Sequence, residues 1–444
     1  MTISLPLLLD VFHVSPSGSD AKDGRTPSTA WKTVAKVNAT AFKPGDRILF
    51  QRGGEWRESL AASSSGEPKK PVTYEAYGTG AKPKFWGSDV VGPDRKLAKA
   101  PGALLVDHVF LPPTAWSWKD GVLALPDAKG VVTACLRVDL VNSNGKNHLV
   151  FRDLVADESA DAKDGYGFRV MGSEGVTLEN CEAYRAGRHH FGVINSTSFV
   201  GKGLHCAWAM PNCPGGATFY VSFSDPSRKG DTHQWIDCSA EHFENPGQGN
   251  YQVFYDHGEG LGPILIRNMT SKGGKFSVAG SAAAPLTIEG GLLEDSSLEI
   301  FGSHLRVDGL RITGNGAVDH WGTDSVFENL AVDVAPKGGG PTGYGVAFLL
   351  REGAKNNAIR FCTLTGPLKA LGAGPASVVA SILPKAEGVA LDASCLSDGR
   401  LGPDLLPKPG SPAIGKAPPP HPALDAAGRP RPKGPCAIGA YEPR

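Results

Sequence analysis

"GVTLENCEAY", residues 175–184, holds two short β-rich runs around a polar break, and the same plan returns along most of the chain. From about residue 147 onward the copies read "HLVFRDLVAD", "SFVGKGLHCAW", "HQWIDCSAEHF", "PILIRNMTSKGG", "PLTIEGGLLEDS", "HLRVDGLRITG", "SVFENLAVDV" and "NAIRFCTLTG". Their spacing runs from about 18 to 36 residues, with a core period in the low twenties, the length of one solenoid turn made of short strands. "LEN", "RDL", "IDC", "IRN" and "FEN" set a polar residue at a similar point of each copy, as stacked turns require. Isolated hairpins would not repeat a turn residue at this period. Apolar residues alternate within each run, so one side fills an interior and the other meets solvent. The expected fold is all-β, a parallel β-helix.

Composition narrows the function classes. Lys plus Arg and Asp plus Glu both number 45 in 444 residues, so no net field draws the chain to nucleic acid or an anionic membrane. No apolar run approaches the ~20 residues of a membrane span. The start, "MTISLPLLLD", has no basic segment and no small-residue cleavage site, which makes it a poor signal peptide. The eight cysteines form no CxxC pair, so a thiolate zinc site is not expected. They read as buried thiols, with Cys206 and Cys213 as the pair to check for a local bridge.

Residues 1–44 are expected to form an N-terminal strand and a capping helix. "TAWKTVAKVNA", Thr29 to Ala39, sets Trp31, Val34, Ala35 and Val37 on one helical face, fit to cover the open end of a solenoid. The β-helix is expected over 45–400, with an insertion or extra sheet around 88–146. The proline-rich tail, 401–444, should wrap the far end as extended chain.

"FHVSPSGSDAKDGRTPSTAWKTVAKVNATAFKPGDRILFQRGGEW" resembles the opening of many right-handed parallel β-helix proteins of the pectate-lyase-like superfamily. "PVTYEAYGTGAKPKF" and the closing "GSPAIG", "DAAGRPRP" and "CAIGAYE" continue the resemblance. It implies a single-stranded right-handed solenoid with an N-terminal capping helix. The superfamily includes alginate, chondroitin and pectate lyases, polygalacturonase-like hydrolases, and phage or surface proteins without known catalysis. Fold analogy does not choose among them. The resemblance further implies a polysaccharide or oligosaccharide partner, an extracellular or periplasmic location, and a monomer.

The stretches "RHHFGVINS", "ATFYVSFSD", "YQVFYDHGE", "GKFSVAGS", "SLEIFGSH" and "AVDHWGTD" read as one column of strands. With Val193, Val221, Val253, Val278, Ile300 and Val318 inward, the outward set is His190, Tyr220, Ser222, Gln252, Phe254, Asp256, Lys275, Ser277, Glu299 and Asp319. A one-residue slip in any rung would invert its assignment.

Three readings stay open for this column. A lyase for an acidic polysaccharide needs a base for the C5 proton and a cation to neutralise the uronate. Lys275, Lys272, Arg185 and Arg188 could supply the cation, and His190 or His257 the base. Lyases of the resembling superfamily often add calcium, whereas "DHGEG" offers only Asp256 and Glu259. A hydrolase needs two carboxylates, drawn from Asp256, Glu299 and Asp319; two rungs of separation is roughly 10 Å. The third reading is a solvated face on a carbohydrate-binding or surface protein. His189, His190, His205 and His257, flanked by His233 and His242, also leave a divalent His/Asp-bound metal open.

The expected centre is Arg188, His190, Asp256, His257 and Lys275, converging on one groove. Arg185, Tyr220, Gln252, Phe254, Glu299 and Asp319 are the expected substrate contacts. Trp208, Phe219, Tyr220, Trp235, Phe254, Tyr255 and Trp321 are expected mostly in the core, any outward ones serving as platforms for sugar rings.

Overall fold

The computed structural model describes residues 10–126, 129–159, 165–208, 216–222, 232–241, 252–257, 262–334, 345–417 and 419–443. The chain divides into two compact units, 1–221 with 244–251 and 222–243 with 252–444. Each unit is built on rungs of three short strands, and the rung strands pair in parallel with their equivalents one rung away. In the first unit one rung is Thr177–Glu179, Glu182–Tyr184 and His189–Ile194. In the second unit one rung is Leu286–Glu289, Leu292–Glu294 and Ser297–Ile300. We call the sheets first, second and third in that order. The fold is a right-handed parallel β-helix.

The repeated polar residue sits at the corner between the first and second sheets, in left-handed backbone. Asp153, Asn180, Asp237, Asn268 and Asn329 all have φ between 52° and 58° there, and Gly203, Gly290 and Gly309 take the same corner at 61–72°. Asn, Asp and Gly tolerate this conformation best, so the corner selects them. The side chains also stack. Asn180 donates to Asp153, and Asn268 Nδ2 donates to Asp237 Oδ1 at 3.1 Å. After each corner a residue turns inward, as Leu154, Cys181, Leu204, Cys238 and Met269 do, all buried.

The interior of the third sheet is an aromatic stack. Phe168, Phe191 and Phe219 lie ring on ring in the first unit, at 5.1 and 5.6 Å. Phe254 and Phe276 do so in the second, at 5.2 Å. Burying each such ring is worth about 1.5–3 kcal/mol. Six of the seven described cysteines are buried, Cys206 among them; Cys213 lies outside the described residues. No helix among the described residues is long and apolar enough to cross a membrane.

The N-terminal helix is shorter than the sequence pattern suggests, Val34–Asn38. Thr33 caps it, its hydroxyl accepting the Lys36 amide at 3.0 Å. Asp20 fixes the preceding segment by accepting the Lys32 and Thr33 amides, which keeps it out of the helix. Trp31 is therefore extended, bridging to Val14, and is 3% exposed. Its ring stacks on Phe12 at 4.9 Å, so it still seals the first rung.

An antiparallel sheet of Ser88–Val90, Ala103–Val106, Val109–Phe110 and Val132–Cys135 leaves the solenoid and returns at one point. The amides of Leu136 and Arg137 both donate to the Gly87 carbonyl, at 2.8 and 2.9 Å. Asp139–Asn142, inside the range expected for the insertion, is already a third-sheet strand paired with Tyr166–Met171. Buried Glu158 anchors the inserted sheet, accepting from Ser88 and from Thr133 Oγ1 (3.0 Å) and meeting His108 Nδ1 at 2.6 Å. In the second unit the tail is held by Arg431, 6% exposed, which donates to Asn329 Oδ1 (3.0 Å), Gly439 O (2.8 Å) and Glu442 Oε1 (2.5 Å).

Candidate functional site

Several residues expected on the outer face are not there. In the first unit Gly167 and Phe168, consecutive residues, both face the interior: a Cβ on Gly167 would meet Ala156 and Ala183 across it. His190 and Phe191 repeat this one rung later. His190 is fully buried, with its Nε2 donating to the Ala207 carbonyl at 3.1 Å. Burial pushes its imidazole down to about 4. The histidine of outward parity is its neighbour, His189, also fully buried, whose ring stacks on Tyr220 at 4.1 Å and lies tilted against Tyr166 at 5.1 Å. A solvent-facing base at His190 is thus corrected by a local doubling of inward residues, as at a bulge.

The same happens to Phe254. The strand Gln252–Asp256 shifts register between Gln252 and Phe254, so Val253 and Phe254 both point inward and both are fully buried. Asp256 then takes inward parity at the strand end. It is 3% exposed, and its Oδ2 accepts the amide of Ala279 at 3.1 Å. His257 is exposed, edge-on to Tyr255 at 4.8 Å. Arg188 and His190 belong to the first unit, Asp256 and His257 to the second. Glu259 and His242 lie outside the described residues.

Arg185 forks onto Asp157, at 2.9 Å from Nε and 2.5 Å from Nη2, and packs over Trp208 at 5.3 Å. Asp157 is fully buried, and burial pushes its carboxyl up against the opposing pull of Arg185 and Lys84. This pair is placed as a buried anchor beside Glu158.

The outward column holds in the second unit. Tyr255, Ser277, Glu299 and Asp319 are successive register partners on the third sheet. Gln252 and Lys275 are partners in the neighbouring column. Lys275 Nζ meets Glu299 Oε1 at 2.8 Å, and the Ser277 hydroxyl donates to Glu299 Oε2 at 3.3 Å. Asp319 accepts both ends of Arg351, a residue the sequence reading did not single out. Adjacent strands lie about 4.8 Å apart, so Glu299 and Asp319 face each other across one such step.

An aromatic step stands beside this pair. Phe301, 53% exposed, stacks on Trp321 at 4.8 Å with the planes 16° apart. The Arg351 guanidinium lies 5.0 Å over the Trp321 ring. The signal for it is in the sequence. "EIFG" (299–302) and "DHWG" (319–322) repeat an acid, an inward residue, an aromatic and a glycine one rung apart. The glycines are required because a Cβ on Gly302 or Gly322 would run into the carbonyl oxygen of Ala279 or Gly302. Among the described residues, no three His, Cys, Asp or Glu side chains are grouped to hold a metal ion.

No family model matches the chain. Alpha-1,3-galactosidase A of Akkermansia muciniphila is 39% identical over 64 residues, 14% of this chain and 11% of that protein's length. The solved complex of XylC with xylose aligns at TM-score 0.48 and 9% identity, over 84% of this chain and 75% of that one. Pectate lyase Pel9A aligns at 0.42 and 10% identity, over 98% and 96%. A GH136 lacto-N-biosidase from Eubacterium ramulus aligns at 0.35 and 13%, over 86% and 67%. At 9–13% identity, the likeness to these three solved structures concerns the fold alone.

Proposed function

We propose that the protein is a carbohydrate-active enzyme and that the outer face of the third sheet, in the second unit, hydrolyses a glycosidic bond. The observation that carries this reading is the register pairing of Glu299 with Asp319. Partners on adjacent strands stand about 4.8 Å apart, near the carboxylate spacing of about 5–5.5 Å in the retaining mechanism, in which one attacks the anomeric carbon and the other protonates the leaving oxygen. Asp319 suits the nucleophile's part, because the two donors of Arg351 orient its oxygens and balance its charge. Glu299 suits the acid/base part, with Lys275 and Ser277 fixing its rotamer. Phe301 and Trp321 offer a stacking surface for a sugar ring. The short match to a galactosidase supports the same class.

β-Elimination on an acidic polysaccharide, the leading expectation from sequence, is the second reading. Two cations on this face, Lys275 and Arg351, favour it, but both engage carboxylates of the protein rather than a free space for a uronate. A polysaccharide substrate also supports a place of work outside the cytoplasm, and we carry that with the proposal.

The test incubates the protein with a panel of polysaccharides and reads reducing ends and ultraviolet absorbance of unsaturated products in parallel. Reducing ends alone, lost in both Glu299→Gln and Asp319→Ala, are the expected result, with azide restoring bond cleavage in Asp319→Ala as a glycosyl azide, a product without a new reducing end. Unsaturated products would favour the lyase. Unchanged turnover in both variants would remove this face from the chemistry.

A further inference from the structure

A second feature of the second unit lies on a different face. Where the tail segment 422–428 passes over the outer side of the first sheet, it leaves a groove of about 870 Å³. Its walls come from four successive rungs, through Arg267, Glu289, Arg306 and Glu328, with Arg311 and Tyr441 at one side. Three inter-rung steps make it about 14 Å long, enough for a short oligosaccharide.

The arginines around this groove are paired, with one exception. Arg267 meets Glu289 at 2.7 Å, and Arg306 meets both Asp308 (2.9 Å) and Glu328 (2.7 Å). Arg360 meets Glu328 at 2.6 Å, and Arg429 meets Asp425 at 2.5 Å. Arg311 has no ion pair and no side-chain hydrogen bond among the described residues, and its Nε is buried without a partner. It lines both this groove and a smaller cavity of about 240 Å³ that Asp404 also lines. A guanidinium half-withdrawn from water with its donors unused lacks the carboxylate its neighbours have. The corner glycines Gly290 and Gly309 put bare backbone along the groove, where a ligand's hydroxyls can reach amides and carbonyls.

We infer that this groove binds an acidic saccharide, with Arg311 taking the carboxylate of a uronate unit in a two-pronged hydrogen bond. The inference rests on the carbohydrate reading for the class of ligand but not for the place, which is separate from Glu299 and Asp319. Such a site would hold a charged chain on the enzyme beside the face that cuts it.

The experiment titrates the full chain calorimetrically with galacturonic acid trimer, with a neutral galactose trimer, and with sodium sulfate. Arg311→Gln removes the cation. Ala427→Glu, at an exposed residue of the groove wall, gives Arg311 an internal carboxylate and leaves the core alone. The acidic trimer should bind in preference to the neutral one, weaken about tenfold or more in both variants, and bind Glu299→Gln within about twofold of wild type. Three results would overturn the inference: no binding by wild type, unchanged affinity in both variants, or sulfate binding as tightly as the trimer. Loss of binding in Glu299→Gln would move the ligand to the third-sheet face. Loss of turnover in Glu299→Gln tests the hydrolase reading independently.

Discussion

Arg351 reaches Asp319 with two parallel hydrogen bonds, Nε to Oδ1 and Nη2 to Oδ2, each 2.8 Å long. It crosses from the strand after Asp319, lying over Trp321 on the way, so one side chain ties the carboxylate to the aromatic step. Only a planar fork can do both.

Arg351→Lys keeps the charge and loses the fork and the stacking. We expect kcat to fall about tenfold with KM changed far less, because the orientation of Asp319 is what is lost. Steady-state kinetics on the cleaved polysaccharide, beside an unchanged thermal midpoint, checks this.

Gly302→Ala should be far more damaging than an exposed-face change usually is. Its methyl group would enter the space of the Ala279 carbonyl, forcing the rungs of Ala279 and Gly302 apart next to the Phe301–Trp321 stack. The expected loss is about 3 kcal/mol or more by urea denaturation, with an altered Trp fluorescence spectrum.

Trp31→Ala removes the ring that closes the first rung, buried against Phe12 and anchored through Nε1 to the Lys22 carbonyl at 3.0 Å. The expected cost is about 3–5 kcal/mol. A denaturation midpoint equal to wild type would show that the end of the solenoid is sealed by something else.

Acid should loosen the fold through two buried imidazoles. Burial lowers both His190 and His320 to about 4. His320 is locked neutral, its Nε2 donating to Asn357 Oδ1 at 3.0 Å. The unfolded chain takes up these protons near 6.5, so their contribution is complete above that pH and falls away as pH drops toward 4. Each is worth up to about 3 kcal/mol over that window. Urea midpoints at about pH 7.5 and about pH 4.5 should differ, and His190→Met should narrow the difference by about half.

The corner residues show why the fold was legible in the sequence. A left-handed corner accepts few residue types, so Asp153, Asn180, Asp237 and Asn329 mark the period even where spacing drifts. Alternation within a strand is a weaker guide. At His190–Phe191 and Val253–Phe254 two neighbours turn inward together, and an alternation rule then assigns one of them to solvent. Where strands stay regular, at Lys275, Ser277, Glu299 and Asp319, the side chains take the outward parity expected of them, although Ser277 and Asp319 are buried. Arg351 escaped notice because a connection longer than the usual period separates it from Asp319, so no repeat pointed to its rung. The helix at Trp31 was overextended because its apolar spacing is helical, while Asp20, distant in sequence, holds that backbone extended.

The inserted sheet leaves and rejoins the solenoid at Gly87 and Leu136, which are hydrogen-bonded to each other. Geometrically it is a pendant with a single hinge point, and the rungs on either side would close whether or not it were present. Such a module can be lost, enlarged or exchanged between lineages without disturbing the register of the coil beneath. What ties it to this particular coil is Glu158: a carboxylate so fully enclosed would keep only the Arg185 guanidinium, 3.7 Å away, if its hydroxyl and imidazole partners went. An exchange that kept the fold would therefore have to carry Glu158 with the module, or replace it with an apolar residue in the same step.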